Sequence, residues 1–213
     1  MNDRRRSLQD EIASCTLCSG EFPRIGVDCP PGRLYLDHVQ PPNPLTVLFV
    51  GVAPPQRERH FYTNSDDNLR QGLFSVLNRL GRSCNNLEDF IRHGFFLIHT
   101  AKCAIRGTTR PDLRVSLFCS SHYGKREIEQ LSPDGVCFLS KNVGHKVCQA
   151  LTQEWGVERE VPFGEVMHAT INGKRTQFLA TKWPGRGWAS ETETHLGNLF
   201  TALRCLSQER WGS

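Results

Sequence analysis

The sequence lacks any apolar run approaching the roughly 20 residues that a membrane-spanning helix needs. Its first residues, MNDRRRSLQDE, are charged where a secretory signal peptide would carry an apolar region. Low-complexity tracts and internal repeats are also missing, since the 18 Gly and 12 Pro are spread along a chain that is 38% hydrophobic. These absences exclude wholesale disorder and collagen-like repeats. We therefore expect a soluble cytoplasmic protein with no membrane partner.

A strong net charge is another feature that the sequence lacks. The formal charge is +4 at pH 7, which has the sign that phosphate backbones attract. This value is compatible with a nucleic-acid partner and does not require one. A chain of 213 residues suffices for one α/β domain and is short for two. We expect one domain over residues 1–213, a monomer, with an N-terminal arm at about 1–44.

Hydrophobic periodicity predicts strands that alternate with helices. Continuous apolar or β-branched runs indicate buried strands at 45–51, 95–98, 135–139 and 176–181. Helical patterns are found at 1–14, 69–80, 86–93, 113–131, 143–154 and 191–207. This order predicts an α/β fold with three layers, α/β/α, around a central, mostly parallel, four-stranded sheet. Ligands of such sheets bind beyond the carboxyl ends of the strands, so residues just after those ends are the first site candidates.

The cysteine count is nine, and in a protein of a reducing compartment we interpret the cysteines as metal ligands or buried thiols instead of disulfides. A Cys-x-x-Cys pair and two cysteines further along could supply four thiolates: Cys15, Cys18, Cys103 and Cys119. Such a set can close a zinc site or hold a [4Fe–4S] cluster, and the single local pair favours the cluster. Alternatively, the pair is fortuitous and the cysteines fill the core, as we expect for Cys137 and Cys148.

Three stretches carry motifs in a recognisable order. They are segment 49–55 (Phe-Val-Gly-Val-Ala-Pro-Pro), the Arg110-Pro111 pair and segment 181–185 (Thr-Lys-Trp-Pro-Gly). Over roughly residues 12–203 the chain resembles the iron–sulfur uracil-DNA glycosylases, family 4 of the uracil-DNA glycosylase superfamily. The resemblance implies a uracil-DNA glycosylase-like fold. It also implies that the four cysteines named above bind a [4Fe–4S] cluster with a structural role, which ties the N-terminal arm to the domain.

Three positions depart from the pattern of that family. Val52 stands where the family has an acidic residue, and a valine neither accepts a proton nor offsets positive charge. His99 stands where an Asn reads the edge of uracil, and it cannot present the paired donor and acceptor of an amide. Trp183 stands where a His stabilises the leaving base. The resemblance therefore implies the fold and the cluster more strongly than a preference for uracil.

The resemblance also implies a base-binding pocket at the strand ends. Its expected contacts are Gly51, Val52, Ala53, Phe61, His99 and Trp183, with Phe61 at the position of the aromatic residue that stacks on the extruded base. We expect His99 to donate to the leaving base and Glu58 to supply the missing carboxylate, with Asp66 and Asp67 as further candidates. The alternative is that His99 only closes a strand, the acids lie in a solvated loop, and Phe61 packs in the core.

The segment after the last strand is the expected DNA contact. Trp183 or Trp188 could fill the space left by a flipped base, while Lys182 and Arg186 bind phosphate. Other basic residues near the strand ends could extend that face: Lys102, Arg106, Arg110, Lys141 and Lys146. Alternatively, the indoles pack under the loop and the charges are scattered over the surface.

Three functional hypotheses follow. The first is a DNA-repair glycosylase that flips a damaged or deaminated base, uracil or a related one, out of damaged or single-stranded DNA and hydrolyses its N-glycosidic bond. The second is an inactive or weak relative that binds nucleic acid, and the third a cluster- or zinc-bearing α/β protein unrelated to DNA. An acid from 58–67 that shares one pocket with His99 and Phe61 would favour the enzyme. Val52 and Trp183 sealing that pocket would favour the binding protein.

Overall fold

A computed structural model describes residues 3–31, 39–55, 60–105, 112–185 and 189–211. Its strands are β1 Val27–Asp28, β2 Val47–Gly51, β3 Phe95–His99, β4 Ala104–Ile105, β5 Gly135–Leu139, β6 Met167–Ile171 and β7 Lys174–Thr181. Its helices are α1 Asp3–Ala13, α2 Leu17–Glu21, α3 Asn68–Arg79, α4 Leu87–Arg92, α5 Leu113–Cys119, α6 Lys125–Leu131, α7 Val143–Glu154 and α8 Ala189–Trp211. None of the helices in these ranges is long and apolar enough to cross a membrane.

The central sheet has the strand order β3-β2-β5-β7-β6. The first four strands run parallel to one another, and helices including α4, α7 and α8 pack on the sheet. Every residue of β2 and β5 is buried, as expected for strands covered on both faces. The predicted α/β class with a mostly parallel sheet flanked by helices is therefore confirmed, and the carboxyl ends of the parallel strands meet at one edge.

The predicted number of strands was wrong, because within the described residues the sheet has five strands instead of four. The fifth, β6, lies antiparallel to β7 at the edge of the sheet. Its residues alternate between buried and exposed, so it lacks the continuous apolar run that marked the other strands. A signal was nevertheless present in the dipeptide Asn172-Gly173, which is typical of a two-residue hairpin turn. Both residues have positive φ, 50° and 78°, as this turn requires.

The predicted helix at 113–131 is helical throughout but changes its winding in the middle. A π-helical segment, Ser120–Gly124, separates α5 from α6. Such segments arise where the hydrogen-bond pattern of a helix accommodates an extra residue. Here the segment begins directly after Cys119, and the Ser120 hydroxyl donates to the Thr100 carbonyl oxygen at 3.2 Å. The helix is thereby joined to the loop that follows β3.

The N-terminal arm packs on this helical run. Leu8 and Ile12 of α1 are buried against Tyr123 and Cys119, and the Arg126 guanidinium donates to both carboxylate oxygens of Glu11 at 2.8 and 2.9 Å. Further along, the two residues of β1 pair with β4. The N-terminal arm, in which the sequence indicated only the helix at 1–14, therefore also contains α2 and a short strand.

Two of the remaining cysteines belong to the core of the sheet. Cys137 on β5 and Cys148 on α7 are fully buried, which confirms the prediction for both. Burial raises the pKa of each thiol above its usual range. These two cysteines are therefore neutral packing groups.

Candidate functional site

A cavity of about 560 Å³ lies at the carboxyl ends of β2, β3, β5 and β7, within the size range of small-molecule pockets. We call it the strand-end cavity. Its lining includes all six residues expected to contact a base: Gly51, Val52, Ala53, Phe61, His99 and Trp183. Asp67 lines it as well, together with Leu139 and Ser140 at the end of β5. The structure thus brings the expected contacts together from four separate parts of the chain.

His99 ends β3 and faces Gly51, its partner in the parallel ladder. A Cβ atom on Gly51 would lie 3.0 Å from His99 Cδ2, so the glycine leaves room for the imidazole beside the end of β2. Burial is the main cause that lowers the pKa of His99 to about 3, and the positive charges of Lys102 and His60 add to it. The imidazole is consequently neutral at pH 7, with one nitrogen that donates and one that accepts.

Lys102 lies beneath this strand end instead of on a phosphate-binding face. Its side chain is 2% exposed, its ammonium donates to the His99 carbonyl oxygen, and it forms an ion pair with the buried carboxylate of Glu127. A buried, paired ammonium cannot reach a nucleic-acid backbone. The suggestion that Lys102 contributes to a basic surface was therefore wrong, and its charge acts within the protein.

The acids expected near the cavity differ in where they lie. Glu58 lies outside the described residues. Asp66 is exposed and does not line the cavity. Asp67 does line it, and its carboxylate accepts the backbone N–H of Arg70 at 2.9 Å as the N-cap of α3. Among the described lining residues Asp67 supplies the carboxylate, placed by the helix cap that its own side chain forms.

Phe61 contributes to both the cavity and the core. Its side chain is 2% exposed, and its ring lies 5.2 Å from the rings of Tyr62 and Phe90 and 5.9 Å from that of Phe74. Most of the Phe61 side chain therefore packs in the core, as the alternative interpretation expected. Only a small part of the ring is accessible, and that part faces the strand-end cavity.

Tyr62, which the sequence did not single out, fixes the loop that carries Phe61. Its hydroxyl donates to the Leu97 carbonyl oxygen at 2.9 Å and accepts the Leu97 N–H at 2.7 Å. Leu97 belongs to β3, which is an edge strand of the sheet. The hydroxyl therefore satisfies backbone groups that a neighbouring strand would otherwise pair.

Trp183 is the most exposed aromatic residue among the described residues of the cavity lining, with 40% of its surface accessible. Two glycines determine its position. A Cβ on Gly185 would overlap the indole, at 1.4 Å from Cζ3, and a Cβ on Gly72 of α3 would lie 2.3 Å from the Pro184 carbonyl oxygen. The loop can therefore lie against α3 only because both positions lack side chains. An isolated Gly within the helical pattern of 69–80 was the available signal for this close approach.

The expected DNA-contact residues are only partly described. Lys182 Nζ lies 2.5 Å from Glu191 Oε2 in an ion pair, and the hydrogen bond from Lys182 is the main cause that lowers the pKa of Glu191. A second polar contact joins Thr181 Oγ1 to His195 Nδ1 at 2.8 Å. Several further candidates lie outside the described residues: Arg106, Arg110, Arg186 and Trp188.

Three sulfur atoms meet at a second place, between the N-terminal arm and the loop after β3. The Sγ atoms of Cys18, Cys29 and Cys103 all lie within 4.8 Å of one another, and we call this group the thiol site. Cys119 and Cys15, the other two expected ligands, are its neighbours. Cys119 Sγ accepts the Lys102 N–H at 3.3 Å, and Cys15 packs beside Cys119 and Tyr123. Cys29 was not predicted as a ligand, because only the pairing of β1 with β4 brings it to Cys103.

The electrostatics of the thiol site reflect shared protons among close sulfurs. Hydrogen bonding from Cys103 lowers the pKa of Cys18, whereas the pKa of Cys103 is raised, first by its hydrogen bond to Cys18. Burial raises the pKa of Cys29 and brings that of Cys119 to about 12. Thiolates are ligands for zinc and for iron–sulfur clusters. The chemistry of this donor set thus suits a bound metal, which would remove the protons.

No protein-family model and no curated protein sequence matches this chain. What the structure defines is an α/β protein with a mostly parallel sheet. It carries a cavity at the carboxyl edge of that sheet and a cysteine group that could hold a metal.

Proposed function

We propose that this protein is a DNA-repair glycosylase of uracil-DNA glycosylase-like fold. It would excise a damaged or deaminated base, uracil or a related one, from damaged or single-stranded DNA in the cytoplasm, acting as a monomer. One observation carries the proposal. Six residues of motif-like segments, spread from position 51 to position 183, line one cavity at the edge where α/β proteins bind ligands.

The reaction would be hydrolysis of the N-glycosidic bond of a base flipped into the cavity. As that bond breaks, the base leaves with the electron pair, and the sugar resembles an oxocarbenium ion. Water then adds to the sugar carbon and loses a proton, which leaves an abasic site and the free base. The protein must therefore stabilise negative charge on the base and positive charge on the sugar.

His99 is suited to the first task. Its imidazole lines the cavity and is neutral at pH 7 because its pKa is lowered to about 3. A neutral N–H donor held in place by Gly51 can hydrogen-bond an oxygen or nitrogen of the leaving base without first losing a proton itself. In this proposal His99 takes over the role that Trp183 cannot perform at its own position.

Asp67 is suited to the second task. It is the carboxylate of the described cavity lining, to which Val52 contributes only an apolar side chain. A carboxylate can accept more than one hydrogen bond, so the helix cap is compatible with holding a water or facing a cationic sugar. Glu58 remains a further candidate for this role.

Aromatic surfaces would hold the base. Trp183 offers the larger accessible ring surface and Phe61 the smaller one. Stacking of a base on such a ring strengthens nucleic-acid binding by about 1–3 kcal/mol per base. Beyond the cavity, Lys182, Arg186 and Trp188 would contact the DNA strand. The Lys182 ammonium would have to exchange its partner Glu191 for a phosphate.

The thiol site would hold the [4Fe–4S] cluster that the resemblance implies, and zinc is the alternative for the same donors. The cluster would have a structural role and would perform no chemistry on the base. Cys18 and Cys29 come from the arm, while Cys103 follows β3. A metal bound to all three would fasten the arm to the sheet.

A second candidate function is nucleic-acid binding without catalysis. The observation that favours it is the apolar replacement at Val52, together with the engagement of Asp67 as a helix cap. In that case the cavity would still accept a base by stacking, and no bond would be broken.

The two candidates are separated by a strand-cleavage assay. The protein is purified anaerobically and incubated with labelled oligonucleotides that each carry one uracil, hypoxanthine, xanthine or other damaged base, and alkali then cleaves abasic sites. We expect cleavage of at least one substrate, lost in His99→Ala and retained in His168→Ala, a control at an exposed histidine of the distant edge strand β6. Binding without cleavage across the panel would favour the second candidate.

A further inference from the structure

We propose that Cys29 is a ligand of the metal centre, together with Cys18, Cys103 and Cys119, and that Cys15 is not. The set differs by one cysteine from the four that the sequence motif indicates. The inference concerns the thiol site alone and does not depend on glycosylase activity.

The backbone pairing of β1 and β4 brings Cys29 to Cys103. The two strands are antiparallel, with Val27 opposite Ile105 and Asp28 opposite Ala104. One step further in the same register, Cys29 comes opposite Cys103, and their Sγ atoms are 3.0 Å apart. Opposed residues of an antiparallel pair have Cβ atoms about 4.5–5.5 Å apart, so the register itself places the two sulfurs within reach of one ion.

The helix α2 supplies the third sulfur and part of its surroundings. Cys18 is buried, and its Sγ lies within 4.8 Å of both other sulfurs. The backbone of Ser19, the next residue, also hydrogen-bonds to Cys29. Backbone N–H groups directed at sulfur stabilise thiolates. The backbone of α2 would therefore stabilise the negative charge of a Cys29 thiolate.

The spacing of the three sulfurs suits thiolates that share one centre. A tetrahedral zinc ion with bonds of about 2.3 Å to sulfur holds its sulfurs about 3.8 Å apart. The thiol site brackets that distance, with one pair at 3.0 Å and every pair within 4.8 Å. An iron–sulfur cluster uses the same thiolates at wider separation. The shared chemistry is a thiolate-bound iron or zinc centre.

Cys119 is better placed than Cys15 to be the fourth ligand. Cys119 is buried and accepts the N–H of Lys102, the residue next to Cys103. It also interacts electrostatically with Cys18. Cys15, in contrast, is hydrogen-bonded to Tyr123 and packs with that residue against α1. Cys15 also interacts electrostatically with Cys29, but its sulfur has a hydrogen-bond partner, Tyr123, outside the three close sulfurs.

Alkylation of the native protein distinguishes the two cysteines without any substitution. Cys15 and Cys29 are both half-buried, so a free thiol at either position is open to iodoacetamide. The anaerobically purified, metal-bound chain is labelled and mapped by mass spectrometry before and after metal removal with a chelator. We expect Cys29 to be protected until the metal is removed and Cys15 to be labelled in both states, like the exposed Cys205. Labelling of Cys29 at the rate of Cys205 in the metal-bound protein would overturn the inference.

Two matched variants provide the second measurement. Iron, sulfide and zinc per chain are determined for Cys29→Ser and Cys15→Ser, with folding followed by far-UV circular dichroism and with Cys205→Ser as the control. We expect Cys29→Ser to lose at least about tenfold in retained metal and Cys15→Ser to keep the wild-type content. Retention of metal by Cys29→Ser, or a wild-type chain that binds neither metal, would contradict the proposal. Iron with sulfide indicates a cluster and zinc a single ion.

Discussion

The strand-end cavity and the thiol site rest on different kinds of structure. Strands of five to eight residues in a buried sheet hold the cavity, whereas a five-residue helix and two strands of two residues each hold the sulfurs. Long buried strands are stabilised by their own apolar area. Elements as short as those of the thiol site need a further bond to define their geometry. The comparison indicates that folding preorganises the cavity, whereas the geometry of the thiol site would depend on the metal that we propose it binds.

The largest effect is expected when the proposed metal is lost. Structural zinc binds zinc-finger peptides with about 10–16 kcal/mol, so Cys103→Ser should release the arm while the sheet stays folded. Limited proteolysis should cut residues 3–31 about tenfold faster or more. Cys148→Ser, a change at a buried cysteine outside the thiol site, is the control and should leave the arm protected. Equal protection of the arm in Cys103→Ser and wild type would remove the distinction between the two regions.

The next effect concerns the wall of the cavity. Gly72→Ala places a Cβ 2.3 Å from the Pro184 carbonyl oxygen, which is a backbone atom that cannot rotate away. We expect the free energy of unfolding to fall by about 1–3 kcal/mol and the fluorescence of Trp183 to change.

Gly197→Ala in α8 is the matched control for this glycine. Its Cβ would meet only Leu80 at an ordinary 3.6 Å, and alanine should stabilise that helix by about 0.5–1 kcal/mol. Denaturant titration measures both variants. A neutral Gly72→Ala would mean that the loop does not lie on α3.

The dependence of stability on pH tests the environment of His99. Its pKa in the folded protein is about 3 and its unfolded value is about 6.5, so unfolding takes up a proton between these values. The contribution of His99 to the free energy of unfolding is complete above pH 6.5. It is lost as the pH falls toward 3, by up to about 1.4 kcal/mol per pH unit. His99→Asn should lack this part of the slope in denaturant titrations from pH 7 to 4. Parallel curves for the two proteins would show that folding does not lower the pKa of His99.

The smallest effect is expected at the rim of the cavity. Glu191→Gln removes one ionic partner of Lys182, and an ion pair of this partly exposed kind contributes less than about 1 kcal/mol to stability. The affinity for single-stranded DNA should rise a few-fold at low salt, because the Glu191 carboxylate no longer competes with phosphate for the ammonium. Glu193→Gln, which removes an equal charge from the same helix at a pair with Arg79, is the control. Equal gains from both variants would indicate only a change in net charge.

The sequence predicted the cavity better than the thiol site, and the reason is physical. Continuous apolar runs located the strands whose ends carry Gly51 and His99, because buried strands leave a strong pattern. Edge strand β6 was not predicted, because five residues that alternate between buried and solvated positions give only a weak pattern. Gly72 and Cys29 could not be assigned from spacing, since each depends on a neighbour distant in the chain. Pro184 determines the first, and the register of β1 with β4 determines the second.

The central claim is that the strand-end cavity receives a flipped base and releases it from DNA. The most direct measurement is free-base release, followed by mass spectrometry, from oligonucleotides that each contain one damaged or deaminated base. The account predicts one free base per abasic site for at least one substrate, with release abolished in His99→Ala and preserved in His168→Ala. Release of no base from any substrate by metal-loaded, folded protein would contradict it.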